Sequence, residues 1–312
     1  MTDFALLNFE GNDGAAVPGL KVGDLVVSLP AAAVIDKKID FPTASTKDVL
    51  WHWDRALPVL QGLADHVAGD PGGLSDALQP LDDVNLLAPI LYPDAIFCAF
   101  ANFTDHMQEM SGREPPDKTK VRPLHFIKLG AHCVIGPEAE VRLPSHSQKV
   151  DWEAELAAVI GRPARNVSAA DAMDYVAGYT IVNDLSLRDQ GRRQDWNGTQ
   201  DFLSGKSFDT GAPLGPWIVP KGQIKDIYDL DMKQWVAGKL QQDSNSSFMH
   251  FTIAEQVEAL SHKFTLRPGD VIATGSPSGN GRPQGIFLEP GQDLRIEIEG
   301  IGTLHNPIVQ GD

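Results

Sequence analysis

Glu153 and Glu155 stand one residue apart in Val150-Asp-Trp-Glu-Ala-Glu-Leu-Ala-Ala-Val-Ile-Gly161. As a strand, this stretch points Val150, Trp152, Ala154 and Leu156 to one face and both glutamates to the other. Like charges side by side repel, and burying them unpaired is expensive. A cation between them relieves both penalties. A second apolar run, Gly178 to Asp184, brings another carboxylate at its end. Three carboxylates without a histidine or cysteine companion suit a hard divalent ion held through oxygen, magnesium or manganese. The same spacing also describes two solvated glutamates on an exposed strand face.

Other residues offer complementary chemistry. His106 and Glu109 are three apart in Thr104-Asp-His-Met-Gln-Glu-Met-Ser-Gly112, a short helix that Thr104 could cap and Gly112 stop. They therefore share a helix face. A carboxylate beside an imidazole fixes its tautomer and raises its basicity, which suits a general base acting on water; a surface ion pair has the same spacing. Lys206 lies at an expected loop-to-strand junction from which it could reach a cavity, although a lone lysine is usually a surface residue. Arg188 opens a polar loop crowded with arginines. The turn Thr274-Gly275-Ser-Pro-Ser-Gly279 offers backbone amides and hydroxyls suited to holding a carboxylate. Pro277 occupies the place where a nucleophile elbow needs serine, and no helical pattern follows Gly279-Asn-Gly281, so neither a serine hydrolase nor a dinucleotide fingerprint is indicated.

The elements that must position these groups follow from periodicity. Phe4 to Val34 reads as short strands separated by turns. From Ser45 the apolar spacing is helical through Val67, with Pro58 an expected kink. Leu86 to Phe100 reads as a buried strand and Leu124 to Leu129 as another. Ser168-Ala-Ala-Asp171 and Thr252-Ile-Ala-Glu255 have capping-box spacing ahead of helices. The polar, proline-containing segment Arg113 to Arg122 is a natural lid. Strands outnumber helices after residue 86 without a regular βαβ series.

The 312 residues carry 26 basic and 42 acidic side chains, a formal charge of −16. That balance argues against nucleic acid or an anionic membrane as partner. Cys98 and Cys133 form no close pair, so neither a disulfide framework nor a zinc site is indicated. No signal peptide, transit peptide or bilayer-length apolar run is apparent, and the expected compartment is the cytoplasm.

Taken in order, several blocks resemble the fumarylacetoacetate hydrolase superfamily: Asn102-Phe-Thr-Asp-His106-Met-Gln-Glu109, Asp151-Trp-Glu153-Ala-Glu155-Leu, Val182-Asn-Asp184-Leu-Ser-Leu-Arg188-Asp, Gly205-Lys206-Ser-Phe-Asp-Thr, Pro268-Gly-Asp-Val-Ile-Ala-Thr274-Gly and Gly300-Ile-Gly-Thr-Leu-His-Asn-Pro. The resemblance spans roughly Leu86 to Val309. It implies a strand-dominated α+β fold, a mixed β-sandwich roll at 86–312 behind a smaller N-terminal α/β domain at 1–85, and a homodimer. It further implies that Glu153, Glu155 and Asp184 bind Mg²⁺ or Mn²⁺, with Ca²⁺ a substitute in crystals. Lys206, Thr274 and Gly275 would contact substrate, with Arg188 lining the same pocket. His106 and Glu109 match the dyad of the acylpyruvase-like branch. Two departures bear on substrate: Gly191 stands where a glutamine is common, with Gln190 one place early, and Lys128 is followed by Leu129-Gly130 rather than proline and a small residue.

The activity so implied is hydrolysis of a carbon–carbon bond in an acylpyruvate or related β-diketo acid, with a pyruvate enolate stabilised by the ion and Lys206 as leaving group. Decarboxylation, isomerisation and hydration or dehydration of related 2-keto acids use the same kind of site. A non-catalytic binding protein on the same fold is the alternative of a different class.

Overall fold

The computed structural model describes residues 1–312. The fold is α+β and strand-dominated, built on a twelve-stranded mixed sheet and a five-stranded sheet. Through the larger sheet run Ala5–Glu10, Ala212–Pro220, Val176–Asn183, Ala154–Ile160, Val271–Ala273 and Ile96–Ala99, neighbours in that order. These neighbours pair antiparallel except Val271–Ala273 with Ile96–Ala99. The smaller sheet orders Lys239–Asn245, Asp231–Val236, Asp293–Ile298, Gly302–Gln310 and Val141–Leu143.

Ala154–Ile160 and Val176–Asn183 are buried along their whole length because the large sheet is covered on both faces, which explains their near-continuous apolar sequences. Leu156, Ala158, Ile160, Tyr179 and Ile181 belong to a core shared with Met232, Ile296 and Leu304 of the smaller sheet and with Ile253, Val257 and Leu260 of the helix Ile253–Ser261. Ala157, Val159 and Val182 belong to a second core with Leu214, Ile218 and the helical residues Val49, Leu50, Leu60 and Leu63. Each buried Leu or Val contributes about 1.5–3 kcal/mol of transfer free energy. Glu155 shares strand parity with Ala157 and Val159 and sits where that strand begins.

The first 85 residues join this framework directly. Ala5–Glu10 pairs with Ala212–Pro220, placing Leu6 opposite Ile218, and Leu6, Leu20 and Val27 belong to the same core as Val159 and Leu214.

Several local expectations are corrected. Leu29–Ile35 is a helix rather than strand, started by the Ser28 cap and by proline in its first turn. The helical stretch after Ser45 divides at His52, between Thr46–Trp51 and Trp53–Gly69, and Pro58 lies inside the second helix. Leu86 to Phe100 is two short strands, Leu86–Leu87 and Ile96–Ala99, separated by proline-containing coil. Ser168 bonds the Asp171 carboxylate at 2.7 Å, but the chain beyond it forms only the 3₁₀ turn Ala172–Tyr175. Thr252 and Glu255, in contrast, make both bonds of a capping box.

At the turn feeding Val271–Ala273, the Asp270 carboxylate accepts from the Arg267 amide at 2.7 Å. Burial pushes its pKa up to about 6 from 3.8. Between those values the folded chain keeps a proton that the unfolded chain has lost, so stability falls as pH rises through this window and the penalty is complete above it. Asp270→Asn retains the acceptor and should remove this dependence, gaining on the order of 2 kcal/mol at pH 7 relative to wild type. Urea melts at pH 4 and pH 7 check it; an unchanged pH profile in the variant would contradict it.

Candidate metal and substrate site

Antiparallel pairing brings the carboxylates together. Ala154 lies opposite Asn183 and Glu155 opposite Val182, so Glu153 and Glu155 meet Asp184 at one end of the strand pair. The corner is locked by side chain and backbone: the Glu153 amide donates to the Asn183 side chain at 3.0 Å, and the Asp184 amide to the Glu153 carbonyl at 2.9 Å. Gln242 fixes the adjacent loop by accepting from the Ala154 amide at 3.0 Å and donating to Ser276 Oγ at 2.9 Å. All three carboxylates are buried, and one oxygen from each lies within 4.8 Å of the others.

Their electrostatics differ. Burial opposes ionisation of Glu153, but the Lys206 ammonium and Arg188 guanidinium overcome it and hold that carboxyl well below the usual range. Glu155 goes the other way: burial, then repulsion from Asp184 and Glu153, pushes its pKa well up. Its sole hydrogen bond is from the Gly275 amide at 2.8 Å. Asp184 Oδ1 lies 2.8 Å from Lys128 Nζ yet receives no well-directed hydrogen bond. An under-satisfied buried oxygen and a mutually repelling carboxylate set are the features a divalent ion corrects, and the all-oxygen donors fit magnesium or manganese. Thus Glu153, Glu155 and Asp184 are the residues that would hold the ion.

Lys206 pairs with Glu153 and lies 2.6 Å from Asp184 Oδ2. It ends the short helix Phe202–Lys206 rather than starting a strand. Sequence reasoning misses the role of Lys128. The strand His125–Lys128 turns Phe126 and Lys128 inward and leaves Ile127 exposed, an inverted polarity that is its available signal. Fully buried, Lys128 reaches Asp184, donates to the Leu185 carbonyl at 2.8 Å and also to the carbonyl of Lys206. Removing one member of a buried ion pair strands the other. Lys128→Met should therefore cost about 3–5 kcal/mol in urea melts of the metal-free protein; a loss of only about 1 kcal/mol, as for an exposed pair, would mean Lys206 compensates alone.

His106 is buried on the helix Thr104–Ser111, its Nδ1 3.1 Å from Glu109. Gly112 ends that helix in the left-handed region (φ 63°), as its sequence suggests, whereas Thr104 is not the cap: its hydroxyl donates to the Phe248 carbonyl at 3.2 Å. The helix is pinned over the Thr274–Gly279 turn. Asp105 accepts from the Ser278 hydroxyl at 3.0 Å, Glu109 from the Gly279 amide at 3.0 Å, and the Asn102 side chain donates to the Thr274 carbonyl at 2.8 Å. The amides of this turn do hold carboxylates, but the protein's own.

His106, Glu153, Glu155, Arg188 and Lys206 line one cavity of about 140 Å³, with Phe100, Met110, Phe126 and Phe202 forming an apolar wall. Larger hollows occur elsewhere on the surface, away from these groups. Thr274 and Gly275 stand behind the wall: the Thr274 hydroxyl donates to the Leu156 carbonyl at 2.8 Å, and Ser276 takes the lining position. The Arg188 guanidinium is committed to Asp151 at 2.7 Å and Glu153 at 2.6 Å.

The description fumarylacetoacetate (FAA) hydrolase C-terminal matches residues 95–309. An oxaloacetate tautomerase of Xenopus laevis, named as mitochondrial, is 42% identical over 229 residues, covering 73% of this chain and 69% of the relative. A crystal structure of maleylpyruvate hydrolase from Sphingobium sp. SYK-6 with manganese(II) and pyruvate superposes with a TM-score of 0.75 at 28% identity, covering 99% of this chain and 100% of that one. A 5-carboxymethyl-2-hydroxymuconate delta-isomerase from Mycobacterium smegmatis gives a TM-score of 0.71 at 33% identity, covering 99% of each chain. With sequence blocks, fold and site geometry in agreement, the chain belongs to the fumarylacetoacetate hydrolase family.

Proposed function

We propose that the protein is a divalent-metal-dependent hydrolase that cleaves the carbon–carbon bond between the acyl and pyruvyl halves of a small acylpyruvate. The observation that carries this reading is the buried His106, paired with Glu109 and lining the same cavity as Glu153 and Glu155. A magnesium or manganese ion at Glu153, Glu155 and Asp184 supplies Lewis acidity toward the oxygens of a 2-keto acid. Glu109, accepting from Nδ1–H, sets the imidazole tautomer and leaves Nε2 as the basic nitrogen. Nε2 takes a proton from water as the water oxygen bonds to the distal carbonyl carbon. The bond to the pyruvyl methylene then breaks, releasing a carboxylic acid and a pyruvate enolate that recovers a proton from His106. Lys206 steadies the negative charge on the pyruvyl half. The manganese and pyruvate named with the maleylpyruvate hydrolase structure support both the ion and the product half.

A second reading has its own support: the small cavity and the oxaloacetate tautomerase relatives favour proton transfer at C3 of a compact keto acid, with Nε2 acting on carbon instead of water. Both readings take a small anionic 2-keto acid. The metal-loaded protein with acetylpyruvate should release pyruvate, followed by coupled reduction to lactate. Should no acylpyruvate yield pyruvate while the enol of oxaloacetate decays faster than in buffer, the tautomerase reading replaces the hydrolase. The proposed assembly is a homodimer in the cytoplasm, and the mass from light scattering tests the dimer; no helix is long and apolar enough to cross a membrane.

A further inference from the structure

In the strand Lys239–Asn245, at the edge of the smaller sheet, one side chain is fully buried, and it is the carboxamide of Gln242. A polar group is expensive to bury without partners, and this one is well supplied. Its oxygen accepts from the Ala154 amide at 3.0 Å. Its nitrogen donates to Ser276 Oγ and the Pro277 carbonyl, each at 2.9 Å, and to the Ser278 carbonyl at 3.2 Å. Gln234, directly opposite on Asp231–Val236, is equally buried, yet neither polar atom of its side chain has a hydrogen bond. The bonds of Gln242 therefore belong to its position and not to buried glutamine in this sheet.

Those bonds hold the turn that joins the carboxylate cluster to the histidine. At its start the Gly275 amide donates to Glu155 at 2.8 Å, and at its end the Gly279 amide donates to Glu109 at 3.0 Å. Gln242 grips the three residues between, and through Ala154 ties them to the residue that separates Glu153 from Glu155. Gly279 lets the turn lie against the strand: its φ is 95°, and a methyl group there would fall 2.1 Å from the Gln241 carbonyl oxygen. Ser244, two residues on and so on the same strand face as Gln242, donates to Asp105 at 2.7 Å. It thereby secures the first turn of the helix that carries His106. The carboxylates themselves are placed independently, by the pairing of Ala154–Ile160 with Val176–Asn183.

We propose that Gln242, assisted by Ser244, is a positioning residue that sets the distance between His106 and the carboxylate cluster, and with it the aim of Nε2 at the reacting atom. Neither side chain lines the cavity, so both act through the turn and the helix. The assignment rests on reading His106 as the base. Misplacing a reacting group by about 1 Å can cost about 10²-fold in rate, so a brace of this kind has a large effect without touching substrate.

The test replaces Gln242 by methionine, which keeps the side-chain length and removes its bonds, with Gln234→Met as control at the same depth. With manganese and acetylpyruvate, Gln242→Met should lower kcat about 10- to 100-fold while KM and the calorimetric dissociation constant for manganese stay within about threefold. Ser244→Ala, a milder change on the same brace, should lower kcat about two- to tenfold. Gln234→Met should leave kcat within about twofold, since it removes no bond. In a His106→Ala background, Gln242→Met should cost less than about a further twofold, because the group it places is gone. Hydrogen exchange across Thr104–Ser111 reads the brace without turnover: it should quicken at least about tenfold in Gln242→Met and stay unchanged in Gln234→Met. Losses that multiply with that of His106→Ala, equal losses in the two glutamine variants, or unchanged exchange in Gln242→Met would overturn the proposal. If wild type releases no pyruvate from any acylpyruvate while exchange responds as stated, the brace stands and the hydrolase reading falls.

Discussion

Replacing Glu155 with glutamine should reduce metal-dependent turnover to background while leaving the metal-free protein folded and more stable than wild type. Glu155 is buried against Asp184 and Glu153, whose charges push its pKa upward after burial itself. Glutamine keeps an acceptor for the Gly275 amide and removes the charge, so repulsion is relieved. The same change removes one anionic ligand from the ion and the charge stabilisation that the ion would supply. For wild type, metal at one hundred times its dissociation constant should add about 2.7 kcal/mol to folding stability. Thermal melts of both proteins with and without manganese read the two effects together. A variant that kept the full manganese-induced shift would show that Glu155 is not a ligand.

His106→Ala should lower the rate of pyruvate release by roughly 10²- to 10⁴-fold, the contribution of a positioned base. The fold should tolerate it, because the helix carrying His106 is anchored through Asn102, Asp105 and Glu109 rather than through the imidazole. Glu109→Gln should cost less, since its one carboxamide oxygen can still accept from Nδ1, giving up the bond from the Gly279 amide, but no longer stabilises a charged ring. Single-turnover measurements at saturating metal separate this from weakened substrate binding. Full activity in His106→Ala would remove the water-activation step.

The carboxylate cluster is legible in sequence because its physics is local to each strand: acidic residues where apolar strands begin or end need a reason to be there. The His106–Glu109 pair is legible because helical spacing fixes which side chains meet. Partners supplied by distant strands and loops leave no such local trace. Arg188 reads in sequence as free for substrate, yet Asp151, itself held by amides of Trp152, Gly281 and Arg282, completes its coordination. Lys128 stands out in sequence only by the residues that follow it; that it is a buried counter-ion to Asp184 is not legible, because a lysine is ordinarily solvated and only the sheet around it buries this one. Boundaries shift where local chemistry is overruled: Leu29–Ile35 turns helical on a serine cap, and Ser168–Asp171 closes a turn that the strand Val176–Asn183 does not let grow.

The pairing of Ala5–Glu10 with Ala212–Pro220 limits how this molecule can be dissected. Cutting at residue 85 to isolate the metal-binding part would strip a long, almost wholly buried strand of one neighbour, baring its edge near Ile218 and the apolar face that Leu6, Leu20 and Val27 cover. The leading segment is therefore not an interchangeable module. Chimeras with relatives should exchange it together with the strand it seals, or precipitate.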